Sequence, residues 1–117
     1  MTTTYYRLQD ADRDPAELLD PAHQWSCSWS GVEDPRQGVS VCATTYSLTS
    51  YFATRALDCG YDVGFLSTLV MVEVEGELAE EEDLDAAEGA LLVLPTRVVS
   101  AEPLTGDMIT DILRYCA

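Results

Sequence analysis

The chain contains no lysine and no asparagine, and it carries a single histidine. Its six basic residues are all arginine, Arg7, Arg13, Arg36, Arg55, Arg97 and Arg114, and they face twenty-one Asp and Glu. The resulting formal net charge is -15. A surface so poor in cations repels phosphate backbones, so direct binding to DNA or RNA is not expected, and anionic membranes are disfavoured for the same reason. Long apolar runs are also lacking. Stretches such as Leu69–Val72 are far too short to span a bilayer, and Met1–Tyr6 has no apolar core of the kind a secretory signal needs. The expectation is a cytoplasmic protein in a reducing compartment, where Cys27, Cys42, Cys59 and Cys116 are free thiols by default. Exclusive use of arginine, with abundant Ala, Val, Asp and Glu, fits a GC-rich coding source.

What is present suffices for one core. A length of 117 residues with 47% hydrophobic composition fits a single domain over 1–117. Thr3–Gln9 (TTYYRLQ) reads as an opening strand. Asp14-Pro15 reads as a cap and first position of a short helix reaching Leu19, ended by Asp20-Pro21. Residues 22–37 read as loop, and Gly38–Ala43 (GVSVCA) as a second strand. A helix capped by Thr45 or Ser47 runs to about Cys59, with Leu48, Tyr51, Phe52, Ala56 and Cys59 on one face and Gly60 as the stop.

Ser67–Glu75 is the clearest strand, with Val70, Val72 and Val74 on the face opposite Met71, Glu73 and Glu75. Ala90–Leu94 and Arg97–Leu104 read as two further strands joined at Pro95-Thr96. Thr105 or Asp107 caps a terminal helix striped by Met108, Ile109, Ile112, Leu113 and Cys116. Strands clustered late in the chain predict an α+β domain. Its sheet is mixed or antiparallel, of about four to five strands, with two to three helices.

The negative charge has a local concentration. Glu73, Glu75, Glu77, Glu80, Glu81, Glu82, Asp83, Asp85 and Glu88 put nine carboxylates within sixteen positions. A dedicated calcium loop needs alternating ligands around a turn glycine, which Asp83, Asp85 and Glu88 do not provide. A solvated polar face is one reading of the run. A surface that occupies a basic groove in the manner of nucleic-acid phosphates is the other. His23 and Cys27 have the spacing of half a zinc site, but Cys42 and Cys59 fall on apolar faces, where cysteine behaves as a small hydrophobe. No metal and no cofactor is therefore expected, nor is a Cys27–His23 nucleophile pair, which lacks a third orienting group. Trp25 and Trp29, in a polar segment, are either a lid on the core or anchors of a contact surface.

Arg7 on the first strand behind Tyr5-Tyr6, Ser40 on the next, and Glu88 ahead of Gly-Ala-Leu-Leu-Val follow the order of key positions in ADP-ribosyltransferase-like domains, which the chain resembles in those three residues. The resemblance implies that Arg7 grips a nicotinamide dinucleotide, Ser40 supports it and Glu88 orients an acceptor. The flanking motif around Ser40 is missing, and such domains are generally larger. In size and charge the chain also resembles small acidic proteins of actinobacteria and their phages.

Three functions follow. The first is a non-enzymatic module that docks on a basic partner protein and inhibits or modulates it, as acidic accessory proteins of phages and mobile elements do to nucleases and DNA-binding factors. Its partner-binding residues are the nine carboxylates with Trp25 and Trp29. The alternatives are a compact transferase-like enzyme and a structural or assembly subunit.

Overall fold

The computed structural model describes residues 3–26, 36–83 and 86–114. Among these described residues six strands are formed: β1 (Thr3–Asp10), β2 (Trp25–Ser26), β3 (Arg36–Gln37), β4 (Val39–Cys42), β5 (Leu69–Leu78) and β6 (Ala90–Pro103). Three α-helices accompany them: α1 (Thr45–Cys59), α2 (Val63–Leu66) and α3 (Gly106–Arg114). Strands β1, β4, β6 and β5 close into a small barrel in which every ladder is antiparallel, and β2 with β3 forms a separate two-stranded ribbon. This is the expected α+β class with its sheet curled shut.

Closure needs a stagger between strands. From Tyr6, the ladders lead through Cys42 to Ala90 in one direction and through Glu73 to Ser100 in the other, ten residues apart on the same strand. β6 can serve both neighbours because it is long and bent. Its register against β5 shifts between Glu73 and Val74 and again between Glu75 and Gly76, leaving Val99 and Thr96 as extra residues on β6. Such bulges bend a strand and increase its twist. The second also accommodates Pro95, which has no N–H for a ladder. Pro95-Thr96 is therefore a bulge within one strand and not the junction of two. Thr96 Oγ1 donates across it to the Glu75 carbonyl at 3.3 Å.

The core has two layers. Tyr5, Val39, Val41, Val72, Val74 and Val93 fill the barrel, and Leu18 packs with them from the 3₁₀ turn Pro15–Leu19. Asp14 caps that turn through the Ala16 N–H. Asp20, expected to end it, also caps a second turn at Pro21–His23. Gln24 fixes this connection to the barrel, its Nε2 donating to the carbonyls of Leu18 at 2.8 Å and Pro95 at 3.3 Å.

Outside the barrel, Leu48 and Ala56 of α1, Leu66 of α2 and Ile112 of α3 pack on Leu8, Cys42 and Leu69. α1 is capped by Thr44, whose Oγ1 accepts from the Ser47 N–H at 3.0 Å, one residue earlier than the sequence suggests. Gly60 ends it at φ 70°, a left-handed conformation that glycine adopts without strain. α2, a single turn capped by Asp62, has no period long enough to be read from sequence, and Ser67 and Thr68 belong to the turn after it. α3 is capped by Thr105, which accepts from the Met108 N–H at 3.1 Å. Among the described residues no helix is long and apolar enough to cross a membrane.

Gly76 sits opposite Pro95 at the second bulge, where a Cβ would meet the Leu94 carbonyl oxygen at 2.6 Å and Pro95 Cα at 3.0 Å. Both are backbone atoms that cannot rotate away. Gly76→Ala is expected to destabilise the fold by about 1–3 kcal/mol, read as a lowered urea midpoint at unchanged slope. Gly106→Ala, with nothing within 4 Å of the added Cβ, serves as the comparison and should be neutral or slightly stabilising.

Candidate functional site

Strand alternation sorts the acidic segment into distinct environments. On β5, Val70, Val72 and Val74 pack with the barrel interior, so Glu73, Glu75 and Glu77 lie on the outer face. Glu73 stands directly opposite Tyr6 and accepts its hydroxyl proton at 3.1 Å. That hydrogen bond, with burial adding to it, raises the Tyr6 pKa. Glu75 faces Arg97 across the β5–β6 ladder, with Nη1 to Oε1 at 3.4 Å. Glu77 is exposed and the strand ends at Leu78, which is 61% exposed. The Ala79 N–H still reaches the Leu92 carbonyl at 2.9 Å, holding the base of the hairpin shut.

Beyond that base, Glu80, Glu81 and Glu82 are exposed. Arg36 reaches them from β3, placing Nε 4.0 Å from Glu81 Oε2 and donating from Nη1 to the Glu82 carbonyl. Since Arg36 pairs with Ser26 and Gln37 with Trp25, the ribbon carrying Trp25 is tied to the acidic hairpin. Two features that are far apart in sequence thus occupy one region. Asp83 is buried, which removes it from the solvent-facing set, and its carbonyl accepts the Ala86 N–H. The side chains of Trp25 and Glu88 lie outside the described set, as do Trp29 and Asp85 altogether.

Of the residues considered for zinc, His23 and Cys42 are described, and they lie on separate elements. Cys42 is 2% exposed in the layer between barrel and helices, and His23 Nε2 lies 3.9 Å from Asp20. Cys27 and the side chain of Cys59 lie outside the described residues. Among the described residues, no group of three or more His, Cys, Asp or Glu could hold a metal ion.

Arg7 and Ser40 do come together, on adjacent strands, with Arg7 Nη1 donating to the main-chain carbonyl of Ser40 at 3.2 Å. The contact uses the backbone and not the Ser40 hydroxyl. Glu88 closes the 3₁₀ turn Ala86–Glu88 before β6.

No family model matches the chain, and no match is found among the curated proteins or the solved structures. The functional reading consequently rests on the residues themselves.

One surface feature has no clear sequence signal. Tyr51, Phe52, Tyr61 and Phe65 form a succession of rings with centroids 5.5, 6.5 and 4.5 Å apart, leading from α1 to α2. Arg55 lies over the Tyr51 ring at 5.1 Å, and Phe65 is 42% exposed. The helical period accounts for Tyr51 and Phe52. The link after Gly60 brings in Tyr61, and the single turn of α2 brings in Phe65.

Burial pushes the Cys42 thiol up to about 11, and the nearby negative charge of Asp83 acts in the same direction. An acid whose pKa is raised by folding contributes stability below its ordinary value, here 9, and loses it as pH climbs through the folded value. Between pH 9 and 11 the wild type should therefore lose roughly 2–3 kcal/mol that Cys42→Ala does not. Urea denaturation of both proteins across that window measures the difference.

Proposed function

We propose that this protein is an acidic binding module that docks on a partner protein through the β5–β6 hairpin and modulates that partner. The observation carrying the reading is the density of carboxylates between Glu73 and Glu88, a stretch with no basic residue of its own. Glu77, Glu80, Glu81 and Glu82 are exposed there, at the end of β5 and in its connection to β6. Arg97 and Arg36 approach from neighbouring strands, but each meets one carboxylate among several. The local field stays negative and attracts a basic surface, raising the encounter rate and selecting partners by charge.

A groove that binds nucleic acid is a basic surface of this kind, and the hairpin would compete there with phosphates. Such competition is one way a small acidic protein blocks a nuclease or a DNA-binding factor. The backbone of Trp25 belongs to the ribbon that Arg36 ties to the hairpin, which makes Trp25 a candidate anchor for the same partner. A partner engaged in this manner contributes the cations that the chain itself lacks.

The test begins with capture on the immobilised protein and identification of the bound chain. Its dissociation constant is then measured at low and high salt. Affinity should fall by roughly tenfold or more across that range. It should fall again when Glu77, Glu80, Glu81 and Glu82 are changed together to Gln. An affinity that neither salt nor the fourfold neutralisation alters would rule out docking by charge.

A further inference from the structure

Arg7 occupies an unusual position for the charge it carries. The β1–β5 ladder runs without interruption from Thr3 to Asp10, so alternation places Tyr5, Arg7 and Gln9 on one face. Tyr5 belongs to the interior cluster, which makes that face the inward one, and Arg7 stands opposite Val72, which is fully buried. β1 and β4 are paired only at Tyr6 and Cys42. Past that point the Arg7 guanidinium spans the seam between them, donating to the Ser40 carbonyl.

Arg7 Nε is buried without a hydrogen-bond partner, and so is Oε1 of Gln9, a residue only 5% exposed. Side chains two apart on one strand face lie about 7 Å from each other, close enough for one small ligand to touch both. An amide offers either a donor or an acceptor there, according to which way it is turned.

Among the described residues no counter-charge accompanies it either. Arg13, Arg36 and Arg97 each meet a carboxylate, at 4.0, 4.0 and 3.4 Å. Arg7 forms no ion pair with any described carboxylate, in a chain that has twenty-one. The charge that acts on it is that of Arg13, which has the same sign. Together with burial, this lowers Arg7 to about 10, so it remains a cation at neutral pH. A half-buried charge without a counter-charge is costly, and among the described residues one hydrogen bond offsets that cost.

We propose that the β1–β4 seam at the barrel mouth binds a small oxyanion, a carboxylate or phosphate group, seated on Arg7 with Gln9 and Arg13 beside it. The planar guanidinium matches such a group with two parallel donors. Arg13, 47% exposed on the turn after β1, stands at the entrance and can release Glu17, an exposed partner at 4.0 Å. The site is independent of the docking surface proposed above.

The arginine Nε–H resonances of the full chain report on the site directly. Inorganic phosphate and acetate are titrated in separate arms, each against sodium chloride of matched ionic strength. The Arg7 and Arg13 signals should move and saturate with one of the two anions, which also identifies the group preferred. Arg7→Lys should weaken that binding by roughly tenfold or more, through loss of the two-donor fork. Gln9→Leu should weaken it severalfold while leaving the Arg7 signal in place. An Arg7 resonance that neither anion moves beyond the chloride control overturns the proposal, as does equal affinity in Arg7→Lys. If Arg7→Lys does not fold, the wild-type titration and Gln9→Leu decide the matter alone, with unchanged affinity in Gln9→Leu counting against the seat.

Discussion

Closure of four antiparallel strands into one barrel is the constraint on which the other features depend. A sheet of so few strands closes only if its strands are strongly staggered and at least one of them bends. β6 meets that requirement with two bulges, at Val99 and at Thr96. The bend at Pro95 needs Gly76 on the facing strand, because the two backbones approach too closely for a Cβ. The interior that results is narrow, and it is filled mainly by valine, with Leu18 packed in from the 3₁₀ turn and Gln24 fastening that connection to the Pro95 carbonyl.

Closure also determines what the surface can do. The ring is sealed along β1–β5 and β5–β6, while β1 and β4 meet at one pair only. The side chains at the far end of the β5–β6 hairpin are carboxylates. The helices occupy another part of the outer surface, where α1, α2 and α3 pack on Leu8, Cys42 and Leu69. The molecule thus has an apolar side covered by its own helices and a β5–β6 connection whose Glu80, Glu81 and Glu82 face solvent. Where closure is least complete, at the single β1–β4 pair, a cation takes the place of ladder hydrogen bonds. Both proposed sites follow from this geometry, one from the extended hairpin and one from the open seam.

Legibility in the sequence followed the range of the forces involved. The Asp14 cap, the Gly60 stop, the apolar face of α1 and the alternation of β5 depend on residues a few positions apart, and all were readable. Pro95 misled because its effect on a strand depends on whether a bulge stands there, and that is set by Gly76 across the ladder. The cap of α1 fell on Thr44, one residue before the expected pair, since neighbouring hydroxyls are nearly equivalent locally. Nothing in the periodicity distinguished Asp83 from Glu80, Glu81 and Glu82, yet one is buried and three are exposed.

The sequence by itself determined the sign and location of the charge, the class of the fold and most of its helix ends. Composition sets net charge, and caps and periods act within one or two turns. Only the tertiary structure decided that the sheet closes, that Arg36 ties the Trp25 ribbon to the acidic hairpin, and that Arg7 points inward without a carboxylate. Those outcomes depend on pairs such as Tyr6 with Glu73, sixty-seven residues apart. Such pairs form only when the whole ladder registers, and no local pattern encodes that register.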